Sequence, residues 1–402
     1  MSEKTINKVP NVPNLRFNNE CWMLTSLGFS CDGFDYGIAA EAKEFDGINQ
    51  YIRITDIDDD SSSYTSRNSV SPSFLDENCV CIENDILFAR TGASTGKTYL
   101  YNRNDGKLYF AGFLIRANVK PIFDPYFVFT MTKTSRYANW IKIMSARSGQ
   151  PGINAQEYKT FSFYHPSLKT QNKISKFIKN IDKRIQTQSK IIKEYKTLKN
   201  AIINHLFFCN SNLDEKIKLS KFATLRNGYA FKSSDYTDNG NYNILTIANV
   251  KGDRYIYASE CNKIGEIPKD IQNHQILKIN DILISLTGNV GRVSLVNIDN
   301  CLLNQRVGVL SILDENYREY IFQVISSKHF ENKMILKGQG AAQKNIGNDD
   351  IESFDIPFSK NHLYMNKLVN LLVSFDKKIA TEEQILNDYQ SQKKYLLNNM
   401  FI

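Results

Sequence analysis

The sequence predicts an α+β protein built as an internal repeat, in which two similar globules are each followed by a long helix and the two helices form an antiparallel coiled coil. Two heptad stretches, a set of short motifs that recurs 193 to 196 residues later, and a basic excess confined to one helix lead to this reading.

The first heptad stretch, 168–208, places Ile174, Ile178, Ile181, Ile185, Gln188, Ile192, Tyr195, Lys199, Ile202 and Leu206 at alternating steps of four and three. That is the 3.5-residue seam of a supercoiled helix. Neither proline nor glycine interrupts it. Adding 194 gives Leu368, Leu372, Phe375, Ile379, Glu382, Leu386, Tyr389, Lys393, Leu396 and Met400, so apolar positions map onto apolar positions and the polar breaks coincide. Polar residues inside a seam can fix register and orientation, and in an antiparallel pair Lys199 is expected near Glu382 or Glu383.

The globular parts repeat as well. Asp85-Ile-Leu-Phe-Ala-Arg-Thr-Gly92 matches Asp281-Ile-Leu-Ile-Ser-Leu-Thr-Gly288, and Ile54-Thr-Asp56-Ile matches Ile247-Ala-Asn249-Val. Ile153, Tyr158 and Phe161 match Ile346, Ile351 and Phe354. The chain therefore divides into a polar arm (1–14, with Pro10 and Pro13), a first globule (15–166), a central long helix (167–210), a second globule (211–360) and a C-terminal long helix (361–402).

Within the first globule, Gln50–Asp56 and Cys79–Ala89 read as strands, Asp58–Ser73 as a polar excursion, and the stretch from Pro125 to about Met144 as helix. That helix leads into Ser145-Ala-Arg147-Ser-Gly-Gln150-Pro-Gly-Ile153, whose counterpart is Leu336-Lys337-Gly-Gln339-Gly-Ala-Ala-Gln343-Lys344-Asn-Ile346. Both are glycine- and amide-rich loops with basic residues before a returning segment. Such loops can approach a nucleic-acid backbone closely and carry donors for phosphates or base edges.

Composition narrows the function. With 42% hydrophobic residues in 402, the chain can bury two ordinary cores, and with no run of eighteen apolar residues and no signal-peptide start it is expected to be cytoplasmic, without a membrane partner. Seven cysteines without C-x-x-C spacing and five scattered histidines indicate neither a disulfide framework nor a metal site. The net charge is +8, and 168–208 alone holds ten basic residues against Asp182 and Glu194. Such a strip suits a polyanion, although a solvated helix face has the same composition.

Two segments imitate catalytic motifs. Gly92-Ala-Ser-Thr-Gly-Lys97-Thr98 is one residue short of a phosphate-binding loop and runs into a strand-like Tyr99-Leu-Tyr rather than a helix, and its repeat mate lacks the lysine. Asp124-Pro-Tyr-Phe127 has one proline where an amino-methyltransferase motif has two. No catalytic constellation is present, so the chain is expected not to be an enzyme.

The Asp85–Gly92 motif with Ser94-Thr-Gly-Lys-Thr98, the Gly149-Gln-Pro-Gly-Ile153 turn, Gln343-Lys-Asn-Ile346, and two heptad helices ending in Leu206-Phe207 and Met400-Phe401 occur in this order over nearly the whole chain. This layout resembles the DNA-specificity (S) subunit of Type I restriction-modification systems, which defend against foreign DNA. The resemblance implies two target-recognition domains, each reading half of a split, asymmetric site in double-stranded DNA. It also implies two helices that dock two methyltransferase (M) subunits, with two restriction (R) subunits as a further option. S-adenosylmethionine, ATP and Mg are implied on those partners, with no cofactor on this chain. A helix of forty residues is about 60 Å long, so the pair would act as a ruler between half-sites.

The residues expected to meet DNA are Arg53, Arg90, Thr91, Ser94, Lys97, Arg147 and Gln150 in the first globule. In the second they are Lys251, Thr287, Asn289, Arg292, Lys337, Gln339, Gln343 and Lys344. Arginine and lysine take guanine or phosphate, and asparagine and glutamine take adenine. The competing class is a coiled-coil scaffold that binds proteins and reads no DNA. It is favoured by the near-neutral globules and disfavoured by the paired basic, amide-rich loops.

Overall fold

Each repeat folds around an antiparallel four-stranded sheet, and a computed structural model describes residues 15, 20–59, 61–146, 151–209, 213, 215–257, 259, 261–338 and 345–401. The chain forms two compact units, Met1–Ser189 with Gln384–Ile402, and Lys190–Glu383.

In the first unit the sheet order is Cys31–Tyr36, Leu114–Val119, Asp85–Ala89, Thr98–Leu100. In the second it is Ala223–Asn227, Val307–Ile312, Ile282–Ser285, Val293–Leu295. The parallel pair Gln50–Ile52 with Leu108–Phe110 recurs as Tyr242–Leu245 with Cys301–Leu303. The pair Met23–Ser26 with Ser162–His165 recurs as Glu215–Lys218 with Asp355–Phe358. Three short helices follow suit: Pro125–Met131, Ser135–Met144 and Ala155–Lys159 match Arg318–Ile325, Lys328–Lys337 and Asn348–Glu352.

The shared Asp-Ile-Leu motif is a turn device. Asn84 and Asn280 both have φ of 72°, a conformation that asparagine tolerates better than most residues. The next carboxylates, Asp85 and Asp281, accept the amide N–H of Ile82 and Lys278, each at 2.7 Å. Burial raises the pKa of both aspartates. The helix expected from Pro125 to Met144 is two helices, because Thr134 leaves the helical conformation to cap the second through the Tyr137 amide. The strand expected over Gln50–Asp56 stops at Ile52, where Arg53 and Asp56 close a 3₁₀ turn. Only Asp85–Ala89 of the stretch from Cys79 is strand, and the polar excursion holds a short strand, Val70–Pro72, paired with Ala42–Glu44.

Both long helices form, Leu168–Asn204 and His362–Met400, and each unit takes a segment of each. In the first unit Ile174, Ile178 and Met400 join a core with Phe88, Phe127 and Tyr158. In the second, Ile203, Phe207, Leu368 and Leu372 join Ile284, Phe322 and Phe330. Each aliphatic or aromatic side chain so buried contributes about 1.5–3 kcal/mol relative to exposure. Pairing is antiparallel within each unit. Asp182 meets Lys393 at 2.6 Å in the first, while Lys196 meets Glu383 at 2.8 Å and Lys199 meets Asp376 at 2.5 Å in the second.

The seam departs from strict heptads near the helix ends. Ile203, Phe207 and Leu397 are buried where Ile202, Leu206 and Leu396 were expected, and those three are half-buried. Straight α-helix drifts about 20° per heptad from a 3.5 repeat, and a π turn at His205–Cys209 rotates the first helix further. Ile181, Ile192, Ile379 and Met400 are buried, whereas Ile185, Tyr195, Phe375, Leu386 and Tyr389 are half-buried. The expected partner of Lys199 is also corrected. Glu383 binds Lys196 and Glu382 binds Lys378, leaving Lys199 to Asp376, which the helical drift turns into the seam. Among the described residues no helix is long and apolar enough to cross a membrane.

Asp376 is only 7% exposed, and it accepts from Lys199, from Arg254 at 2.8 Å and from Gln323 at 2.7 Å. Removing it leaves two cations without their shared carboxylate. Asp376→Ala is therefore expected to destabilise the protein by about 3–5 kcal/mol in denaturant titration, and a loss below about 1 kcal/mol would contradict this account.

Candidate nucleic-acid interface

The two repeats present the same turn in slightly different lengths. In the first, Ala89 N–H donates to the Lys97 carbonyl at 2.8 Å and Gly96 N–H to the Ala89 carbonyl at 2.9 Å. In the second, Ser285 N–H donates to the Arg292 carbonyl at 2.9 Å and Gly291 N–H to the Ser285 carbonyl at 2.9 Å. Lys97 and Arg292 thus hold equivalent places despite the one-residue difference. The returning segment docks identically, since Ile153 N–H reaches the Arg90 carbonyl at 2.9 Å and Ile346 N–H the Leu286 carbonyl at 3.0 Å. Bridges Thr91 to Gly152 and Thr287 to Asn345 complete the match.

Gly96 and Gly291, with φ of 90° and 78°, let a helix lie directly on this turn. A Cβ at Gly96 would come within 2.8 Å of the Ile141 side chain, and one at Gly291 within 2.6 Å of Met334 Cβ. The helices Ser135–Met144 and Lys328–Lys337 are therefore neighbours of the turns in both units. After Lys97 the chain enters the strand Thr98–Leu100, so the turn has no helix N-terminus with which to hold phosphates.

The structure gathers Arg90, Thr91, Ser94 and Lys97 on the first turn, and Thr287, Asn289 and Arg292 on the second. Arg90 lies 4.8 Å over the Tyr36 ring, and the Ser94 carbonyl accepts the Lys97 N–H at 3.0 Å. Lys97 pairs with Asp59 at 2.7 Å and Arg292 with Glu331 at 3.3 Å, so each equivalent cation already holds a carboxylate. Asn289 is exposed, and the Thr287 hydroxyl is buried with no hydrogen-bond partner among the described residues. Lys251 sits 4.6 Å over Tyr257 and lines a cavity of about 310 Å³ with Lys196, Lys199, Arg254, Arg292 and Asp376.

Two expected residues are also engaged within the fold. Arg53 forks onto Asp56 at 2.8 and 2.9 Å, and Lys337 donates to the Asp350 carbonyl and the Ser353 hydroxyl, both at 2.8 Å. Arg147, Gln150, Gln339, Gln343 and Lys344 lie outside the described residues. On the basic helix, Lys169, Lys173, Lys176, Lys183 and Lys193 are exposed, while Lys196 and Lys199 are tied to acids. Sequence reasoning missed Asp59, Glu331 and Arg254, whose pairings with Lys97, Arg292 and Asp376 join residues far apart in the chain and carry no local pattern. Among the described residues no cluster of three or more His, Cys, Asp or Glu side chains fits a metal ion.

Lys133 was missed as well. Its ammonium donates to the Ser62 and Thr98 hydroxyls, both at 2.7 Å, and lies 4.6 Å over the Phe129 ring, with neutral acceptors where a lysine usually has a carboxylate.

A duplicated unit that offers one matched turn twice defines a tandem recognition protein. Residues 37–197 and 214–388 match the family model of the Type I restriction modification DNA specificity domain, so the chain belongs to that family and is a non-catalytic specificity subunit. It is 23% identical to the Type I restriction enzyme MjaVIII specificity subunit of Methanocaldococcus jannaschii over 343 residues, covering 79% of this chain and 78% of the relative. The fold is similar to the crystal structure of the Type I restriction-modification S subunit from M. genitalium, with a TM-score of 0.57 at 15% identity and 97% and 99% of the two chains covered. A chain from a study of complex assembly and conformational transition in a type I system has a TM-score of 0.51 at 15% identity, covering 94% and 95%.

Burial, helped by the nearby Lys393, pushes the Lys133 pKa down to about 7. In the unfolded chain lysine titrates near ~10.4, so between these values the unfolded state binds a proton that the folded state has released, and stability rises with pH. The unfolding midpoint is expected to climb from pH 7 to pH 9 more steeply in the native chain than in Lys133→Met. Equal slopes would contradict the assignment.

Proposed function

We propose that each unit reads one half of a split, asymmetric DNA site, with residues 15–166 and 211–360 acting as the two target-recognition domains. The observation that carries this reading is the matched pair of turns bearing unlike residues, Arg90-Thr-Gly-Ala-Ser-Thr-Gly-Lys97 in one and Leu286-Thr-Gly-Asn-Val-Gly-Arg292 in the other. Equal backbones with different side chains suit two different half-sites.

The long helices supply a reason for paired partners. Phe177 and Leu371, 194 residues apart, are large apolar side chains left exposed at the same place on each helix. A methyltransferase subunit docked on one has an equivalent seat on the other, which favours two such subunits, with two restriction subunits where the system includes them. S-adenosylmethionine, ATP and Mg then belong to those partners. A scaffold without DNA reading gives no reason for the duplicated turns.

The test is methylome sequencing of a host carrying this chain with its cognate methyltransferase subunit. A motif of two unlike short sequences around a fixed gap is expected, and exchanging residues 15–166 for those of a related chain should change one half only. Methylation without a motif, or a swap that changes both halves, would contradict the reading.

A further inference from the structure

We infer that the helices Ser135–Met144 and Lys328–Lys337 enter the DNA major groove, where Asn139 with Ile143, and Asn332 with Leu336, read an adenine–thymine step in each half-site. This rests on the bipartite reading above and names the element that does the reading.

The inner faces of both helices are accounted for. Tyr137 is buried and Ile141 lies on Gly96 in the first, while Phe330 and Met334 are buried in the second. The outer faces have no such role. Ile143 is 73% exposed and Leu336 67% exposed, and they are 193 residues apart, at the same position of the repeat. One turn earlier on the same face stand Asn139 and Asn332, again 193 apart, exposed and with no hydrogen-bond partner among the described residues. A single exposed aliphatic residue needs no explanation. The same asparagine–aliphatic pair at the same place in two otherwise divergent repeats does.

Charge selects the occupant. The first helix carries Arg136 and Lys142 and no acid. The second carries Lys328 and Lys333, besides Lys337, which is bound to Asp350 and Ser353, and its one carboxylate, Glu331, is held by Arg292 and Lys328. Both helices therefore carry net positive charge, as a polyanion requires. An α-helix is about 10–12 Å across with its side chains, which fits a groove about 12 Å wide. Asparagine pairs with adenine N6 and N7, and an aliphatic side chain covers the thymine methyl. Residues four apart on a helix are about 5–6 Å from each other, between one and two base-pair rises of ~3.4 Å, so each pair spans adjacent base pairs.

The test uses the full chain assembled with its methyltransferase subunit and the variants Asn139→Asp, Ile143→Ala, Asn332→Asp and Leu336→Ala. All four side chains face water, so thermal unfolding should match the parent. Methylome sequencing should show one or two adjacent positions altered in one half-site for the first two variants, and in the other half-site for the last two. Competition with duplexes changed one base pair at a time should show about 5- to 150-fold less discrimination at those positions. An unchanged motif with parental discrimination overturns the inference while leaving bipartite reading intact. So does weakened methyltransferase assembly with the residual methylation still at the parental motif, since the face would then be a protein seat. A parent complex that methylates without any motif overturns both.

Discussion

An aspartate on one long helix and a lysine on the other meet inside each unit, as Asp182 with Lys393 and as Asp376 with Lys199. Asp182 and Asp376 are repeat mates, and so are Lys199 and Lys393. Each pair therefore joins one repeat's aspartate to the other repeat's lysine. Asp376 is buried and Asp182, Lys199 and Lys393 are partly buried; such pairs add little net stability, but a slip of one register step would separate each charge from its partner. The exchanged pairs thus specify which residues of the two helices meet, and the packing of each globule on its helix segments follows from that.

This constraint reaches the paired glycine turns through short steps. Asp376 also accepts from Arg254, which in turn forks onto Glu319 of the helix Arg318–Ile325. In the first unit, Tyr126 at the matching position of Pro125–Met131 donates to Asp182. Different side chains thus fasten equivalent helices to equivalent seam residues. The next helix in each unit lies on the glycine turn that carries Lys97 or Arg292. The turns are held largely by backbone bonds and by Gly96 and Gly291, which leaves other positions, such as Arg90 against Leu286, free to differ between the repeats.

Much of this was legible in the sequence because its signals are periodic or repeated. The heptad spacing gave both long helices, and the Asp-Ile-Leu and Thr-Gly motifs gave the duplicated globule. Other features depend on rotation and distance. Whether Ile202 or Ile203 faces the core depends on how far an α-helix has drifted from a 3.5 repeat, and the partner of Lys199 depends on the same rotation. Lys97 stands out in the chain as a phosphate-loop look-alike, yet its pairing with Asp59 requires knowing how the polar excursion folds back. Arg53 is expected at DNA because it is basic and near a repeated motif; only the structure shows that it also closes a turn with Asp56. The outer-face asparagines gave no signal in the chain until the repeat alignment and exposure were both known.

Double-mutant cycles in alanine over Asp182, Lys199, Asp376 and Lys393, followed by denaturant unfolding of the full chain, test this account most directly. Coupling of about 0.5–3 kcal/mol is predicted for Asp182 with Lys393 and for Asp376 with Lys199. None is predicted for Asp182 with Lys199, which lie about 25 Å apart along one helix. Coupling confined to residues of the same repeat, or absent from both exchanged pairs, would contradict the account.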